Sequence, residues 1–242
     1  MNELRLNIKQ YFNALTFIEE THKYFVDGKQ LKFSVSGLIH KYEHDNDWDK
    51  ILKDCAARKG VTPEEEKARW DKEAEIGCEL GTETHLFAEK YAEDRTLEPA
   101  TGHQKAVVNF WNDLPDFIIP LCLELQMYHK EYMFAGTADL IFYNTQTNQI
   151  IIGDYKTNKD LFKNFKMQKM KGPFSHLVDC PYNHYQIQLS YYQILLEQFL
   201  EGTDIEVIGR KLIYLKSDTT YEMYDLDDYT DVLRNELKLY GI

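Results

Sequence analysis

Two apolar runs joined by a polar turn and charged at one end constrain this chain more than any other feature. Residues 138 to 143 (Ala-Asp-Leu-Ile-Phe-Tyr) and 150 to 155 (Ile-Ile-Ile-Gly-Asp-Tyr) flank Asn144-Thr-Gln-Thr-Asn-Gln149, which is the pattern of a β-hairpin. Gly136-Thr-Ala-Asp139 opens the first strand and Asp154-Tyr-Lys156 closes the second. The strand period of two puts Asp154 and Lys156 on one face, and antiparallel pairing brings Asp139 beside them. Two carboxylates and an ammonium meeting there suit a hard divalent cation and an attacked phosphate, because Mg²⁺ takes carboxylate oxygens while the ammonium offsets phosphate charge. By themselves, the three residues are equally compatible with solvated, edge-protecting hairpin ends.

Two helical segments add to the pattern. From about Pro63 to Ala92 the chain is rich in helix formers, and Gly81, His85 and Glu89 follow one another in steps of four along one face. A glycine there weakens the helix by about 1 kcal/mol relative to alanine, so a helix start or a close backbone approach is expected at Gly81. His85, one turn on, could reach what approaches; alone, it reads as a half-buried histidine with a local hydrogen bond. Farther along, Leu189, Tyr192, Leu195, Leu196 and Phe199 form an apolar helix stripe, with Gln188 one turn before Tyr192. Tyr192 alone reads as core, whereas a buried Gln188 amide needs several partners.

The series Gly-x-x-x-His-x-x-x-Glu, Gly-x-x-Asp, Asp-x-Lys and Gln-x-x-x-Tyr, in that order from Gly81 to about Leu200, resembles the RecB-like branch of the PD-(D/E)XK nuclease superfamily. Upstream, Glu20-Thr-His-Lys-Tyr-Phe-Val-Asp-Gly-Lys-Gln30 and Phe33-Ser-Val-Ser-Gly-Leu-Ile39 are similar to the amino-terminal hairpin of phage-encoded exonucleases and of the mitochondrial genome maintenance exonuclease. The resemblance implies an α/β (α+β) restriction-endonuclease-like fold: a mixed central sheet flanked by helices, with an N-terminal β-hairpin and helical elaboration. It implies Asp139, Asp154 and His85 as ligands of Mg²⁺ or Mn²⁺ and Lys156 as the catalytic lysine. Gln188 and Tyr192 would lie against the site, Glu131 would be an additional active-site acid, and Glu89 would be the acidic end of the first motif. Ala138 stands where the superfamily name has proline and Asp154 where glutamate is commoner, and aspartate donates the same kind of oxygen. Some relatives hold an iron-sulfur cluster, but Cys55, Cys78, Cys122 and Cys180 are scattered, so no cluster is expected.

The implied activity is hydrolysis of DNA phosphodiester bonds, as an exonuclease in recombination, repair or degradation. The alternatives are a structure-specific or restriction-like endonuclease, or a non-catalytic DNA-binding accessory or anti-defence protein. A net charge of −12 by itself opposes DNA binding, but the acid lies mostly in residues 43–54, 64–98 and 218–236. From Lys156 to Lys171 there are six lysines (Lys156, Lys159, Lys163, Lys166, Lys169 and Lys171) against Asp160 alone, a track for a phosphate backbone to which Tyr192 is added as a nucleic-acid contact. Phe162 and Phe165 are read as facing the core, with stacking on bases as the alternative.

At 242 residues and 43% hydrophobic, the chain suits one nuclease domain over 1–242, with residues 1–80 as elaboration and 81–242 as the catalytic core. No apolar run spans a bilayer, no leader pattern opens the chain, and the cysteines suit a reducing compartment. A cytoplasmic protein of a bacterial host or phage-infected cell is expected, with a homo-oligomer or phage recombination partners left open. A hairpin is expected over 14–35 with its turn at Asp27-Gly28. Helix starts are expected at Thr62-Pro63 and Gly102, strands at 205–215 and 220–226, and a last helix over 228–240.

Overall fold

Local chemistry sets most element boundaries in the computed structural model, which describes residues 2–18, 21 and 23–239. Helix α1 (Asn2–Tyr11), which the sequence reading did not anticipate, precedes a small antiparallel sheet of β1 (Leu15–Ile18), β2 (Lys23–Val26) and β3 (Lys29–Gln30). Asp27 and Gly28 join β2 to β3 with φ of 50° and 74°, the left-handed pair that a two-residue hairpin turn needs. The expected hairpin is therefore there, with a third strand added; Glu20 and His22 lie outside the described residues. Next come β4 (Phe33–Ser34), α2 (Val35–Ile39), α3 (Trp48–Lys59) and α4 (Pro63–Glu93). Thr62 and Glu65 form a capping box and Pro63 occupies the first turn of α4, as the sequence predicts. Glu66 is buried among Lys59, Arg69 and Trp70, all at hydrogen-bond distance, which fastens α4 to the end of α3.

Helix α5 (Gly102–Asp113) starts at a Thr101 cap, and the long strand β5 (Ile118–His129) turns into β6 (Phe134–Asn144). β6 and β7 (Gln149–Lys156) form the expected hairpin, from Asn144↔Gln149 to Leu140↔Gly153. Helix α6 (Pro181–Leu200), β8 (Glu206–Leu215), β9 (Tyr221–Asp225) and α7 (Thr230–Leu239) complete the chain; Tyr240, the expected end of α7, lies outside the described residues.

The main sheet is six-stranded and mixed. β6 is its centre, antiparallel to β5 along its length and to β7 at its far half, and parallel to β4 at its start. β8 lies parallel to β7, and β9 closes the far edge antiparallel to β8. The period of two then builds a core on each face. Ile150 and Ile152 of β7 and Leu212 of β8 pack with α1, α2, α6 and α7, whereas Tyr155, Ile213 and Leu215 pack with Tyr91 of α4 and Phe110 and Trp111 of α5. The helices α4 and α6 therefore cover opposite faces of the strands that carry the charged residues. No helix among the described residues is long and apolar enough to cross a membrane.

Candidate metal centre

The β6–β7 ladder stops at Leu140↔Gly153, one residue short of the pair that would set Asp139 against Asp154. Where the backbone pairing ends, the Asp139 side chain takes over: its Oδ2 accepts the Tyr155 N–H at 2.8 Å. On the other side of β6, Glu124 of β5 falls between the registered pairs Leu123↔Leu140 and Leu125↔Ala138, so it stands opposite Asp139. Glu124, Asp139 and Asp154 thus form a row of carboxylates across three neighbouring strands. Glu124 has φ of 45°, a left-handed kink within an extended strand of the kind that re-aims a side chain.

From α4, His85 presents Nδ1 to Asp139 Oδ2 at 3.3 Å, with its ring edge-on to Tyr155 at 5.9 Å between centroids. One ligand atom each from His85, Glu124 and Asp139 lies within 4.8 Å of the other two, a set that can hold a metal ion. Ligands bound at about 2.1 Å sit at most about 4.2 Å apart across a cation, so small side-chain rotations close the set. Gly81, Thr82, His85, Leu86, Glu89 and Glu124 line an open cleft of about 430 Å³ above it. Gly81 neither starts the helix nor receives a close backbone, correcting the sequence expectation. It lies within α4, and a Cβ there would meet only Thr157 Oγ1 at 3.8 Å.

Crowded negative charge shapes the protonation of the row. Burial, then Asp139, Glu89 and Asp154, push the Glu124 carboxyl up to about 8 against the pull of Lys156. Burial and Asp139 likewise push Asp154 up to about 6, while Lys156 and His85 act the other way. Asp154, at 1% exposure, is ion-paired with Lys156, and it is not one of the three residues whose ligand atoms converge. Burial disfavours the Lys156 charge, but Asp154 and Asp139 outweigh it and hold the ammonium above its ordinary value.

Lys156 has a second neighbour that the sequence reading missed. Its Nζ lies 4.6 Å from the centroid of the Tyr185 ring, a cation–π contact. Tyr185 Oη in turn donates to Asn158 Oδ1 at 2.8 Å, and Tyr214 Oη donates to the Asn158 carbonyl at 2.8 Å. Gln188 Nε2 donates to Tyr192 Oη at 2.7 Å. Tyr192 is 5% exposed and lies against Gly136, where a Cβ would come within 2.8 Å of Tyr192 Cε1 and 2.7 Å of Val35 Cγ2. Tyr192 is thus enclosed behind the site and is no surface for nucleic acid, which corrects its assignment as a DNA contact.

Glu131 is a second correction. It lies in the turn between β5 and β6, beside Lys130 and Tyr132 in a separate groove with Tyr11, Glu197 and Arg234. At about 3.3 Å per residue, that turn is roughly 20 Å along the strands from Glu124. The strand acid at the site is Glu124, and its signal was a lone charge in the apolar run Leu121-Cys-Leu-Glu-Leu125, where buried strands admit charge only for a reason.

The lysine run after Lys156 is an irregular loop with a short 3-10 turn at Gly172–Phe174. Lys171 is tied to Asp45 at 2.6 Å, and Lys169 Nζ donates to the His176 carbonyl at 3.1 Å. Among the described residues, no carboxylate pairs with Lys159, Lys163 or Lys166. Phe162 and Phe165 are exposed rather than core-facing.

No family model matches the chain, and no curated protein matches it. Solved structures do, among them one described as "Crystal structure of SSO0001", with 14% identity and a TM-score of 0.40 over 99% of this chain and 83% of that one.

Proposed function

We propose that this chain is a metal-dependent nuclease that hydrolyses DNA phosphodiester bonds, of the RecB-like type and acting as an exonuclease. The observation that carries this reading is the row Glu124–Asp139–Asp154 with His85 above it and the Lys156 ammonium at its end. An imidazole nitrogen with carboxylate oxygens fits Mn²⁺ or Mg²⁺, the nitrogen favouring Mn²⁺. His85, Glu124 and Asp139 would hold the ion, with Asp154 next in the row and paired with Lys156. Bound there, the cation supplies Lewis acidity and a water of lowered pKa.

The residues of the chain supply the rest. Lys156 keeps its ordinary positive charge at neutral pH because Asp154 and Asp139 outweigh the burial that opposes it, so we assign it as a donor rather than a general base. Its Nζ instead donates to the attacking water or a phosphate oxygen and offsets charge that develops in the transition state. Tyr185 keeps that ammonium in place over its ring. The Tyr155 N–H holds the Asp139 carboxylate at the head of the cleft, so only small rotations are needed to close the set on an ion. Lys159, Lys163 and Lys166 would draw the phosphate backbone toward the cleft.

The test is purified protein with end-labelled linear single strand, linear duplex and closed circular DNA, in chelator and with Mg²⁺ or Mn²⁺ restored. Cleavage of linear but not circular DNA that requires the cation is expected. Cleavage of circles would make the protein an endonuclease, and no cleavage of any substrate would refute the reading.

A further inference from the structure

The loop that follows Lys156 carries an apolar surface used by neither the core nor the metal centre. Phe162, Phe165 and Met167 are 54%, 39% and 72% exposed. Their loop is firmly held at its base. Asp179 N–H donates to the Gln168 carbonyl at 2.9 Å and Lys171 N–H to the Tyr42 carbonyl at 2.6 Å. Gln168 Nε2 donates to Asn46 Oδ1 at 2.8 Å, and Asn164 Nδ2 to the Asp179 carbonyl at 2.6 Å. Lys166 and Met167 both have φ of 54°, a left-handed conformation that side-chain-bearing residues seldom adopt. A tip held in that shape on an anchored base presents its side chains outward.

The composition of the tip identifies what it fits. Phe162 rests against Tyr182 and Tyr224, with centroids 5.0 and 5.9 Å away. Phe165 lies in a groove with Ile51, Asp54, Ala57 and Arg58 of α3, and the Lys166 ammonium is 5.0 Å from its ring centroid. Lys163 and Lys166 alternate along the chain with these exposed apolar residues, and among the described residues no carboxylate is ion-paired with either. A partner for this surface carries regular negative charge and flat apolar faces in alternation. Single-stranded nucleic acid does so, whereas a duplex keeps its base faces stacked inside and offers the loop only phosphates.

We propose that Phe162, Phe165 and Met167 form a ledge on which unpaired bases stack, so that the strand brought to the metal centre is single. The second half of this inference rests on the nuclease reading, because the loop begins at Lys156. The ledge itself needs no hydrolysis, and binding can be measured without it. The whole protein in excess chelator is titrated into a fluorescent oligothymidylate, an abasic strand with the same number of phosphates, and a duplex of equal length. Wild type should bind the oligothymidylate about tenfold or more tighter than the abasic strand. Phe165→Leu combined with Met167→Ala should remove most of that difference and leave the abasic affinity unchanged. Leucine keeps the apolar contact with α3, and an unchanged thermal melt verifies the fold. Equal affinity for the thymidylate and abasic strands, a duplex bound more tightly than the single strand, or a double variant that keeps the full difference overturns the ledge. Base-dependent binding with no cleavage in Mn²⁺ upholds the ledge and removes the nuclease reading. Cleavage without base-dependent binding does the opposite.

Discussion

Replacing Glu124 with glutamine should stabilise the metal-free protein at high pH and weaken its response to a cation. The Glu124 carboxyl is raised from 4.5 to about 8 by burial and by Asp139, Glu89 and Asp154, so the folded state favours its proton. Below pH 4.5 the group is neutral folded and unfolded, and its contribution is fully retained. As pH rises toward 8 the unfolded chain ionises first, stability falls, and above 8 the loss is complete. At about 1.4 kcal/mol per unit the full gap is on the order of 5 kcal/mol. Burial is the largest part of that gap, and the glutamine amide is itself a polar group buried there, so a gain of about half that is expected for Glu124→Gln. For a chain of this size, a gain of about 2–3 kcal/mol moves Tm by roughly 5–10 °C. Thermal melts in excess chelator at pH 5 and pH 9 read the effect: the two proteins should melt together at pH 5, and the variant higher at pH 9. Added Mn²⁺ should then raise the wild-type Tm and close the gap, because the cation relieves the repulsion that Glu124 contributes, while the variant shifts less. A variant that melts lower than wild type at pH 9, or one with the wild-type Mn²⁺ shift, would refute Glu124 as a member of the cluster.

Single replacement of Asp139, Asp154 or Lys156 by alanine should lower single-turnover cleavage by at least about a hundredfold with a native circular dichroism spectrum, as expected when a transition-state electrostatic group is lost; wild-type turnover in any of the three would remove that residue from the mechanism. Gly136→Ala places a Cβ 2.7 Å from Val35 Cγ2 and 2.8 Å from Tyr192 Cε1, and chemical denaturation should show a loss of about 1–3 kcal/mol. Gly81→Ala meets only Thr157 Oγ1 at 3.8 Å and should gain about 1 kcal/mol; a destabilised Gly81→Ala would show that α4 is more crowded there than described. Changing Lys159, Lys163 and Lys166 together to glutamine should make the slope of log affinity against log salt shallower by up to about three. Lys171→Gln should leave that slope unchanged, because its ammonium is already committed to Asp45, and fluorescence titrations over a salt series distinguish the two.

Much of the architecture was legible in the chain because it depends on neighbours in sequence. Alternating apolar runs around a six-residue polar turn specify the β6–β7 hairpin, Thr62, Pro63 and Glu65 specify the start of α4, and Asp27-Gly28 specifies the turn of the first hairpin. The same local logic placed His85 on the helix face that meets Asp139 and put Asp154 beside Lys156. These features follow from backbone preferences and side-chain periods that act over a few residues.

Tertiary structure decided what those periods leave open. Glu124 reaches Asp139 only because β5 pairs with β6 in one register, and no local signal distinguishes that register from others; Glu131, nearer in sequence to Asp139, lies at the wrong end of the same strand pair. Tyr192 is enclosed because Gly136 lets α6 approach β6 closely, and Tyr185 covers Lys156 from that same helix. The lysine run read as one uniform track, yet Asp45, far back in the chain, takes Lys171 out of it, while Phe162 and Phe165 lie half exposed against Tyr182, Tyr224 and α3 rather than in the core. Strand pairing and close packing join residues distant in the chain, and their outcome depends on the whole set of competing contacts rather than on any local pattern.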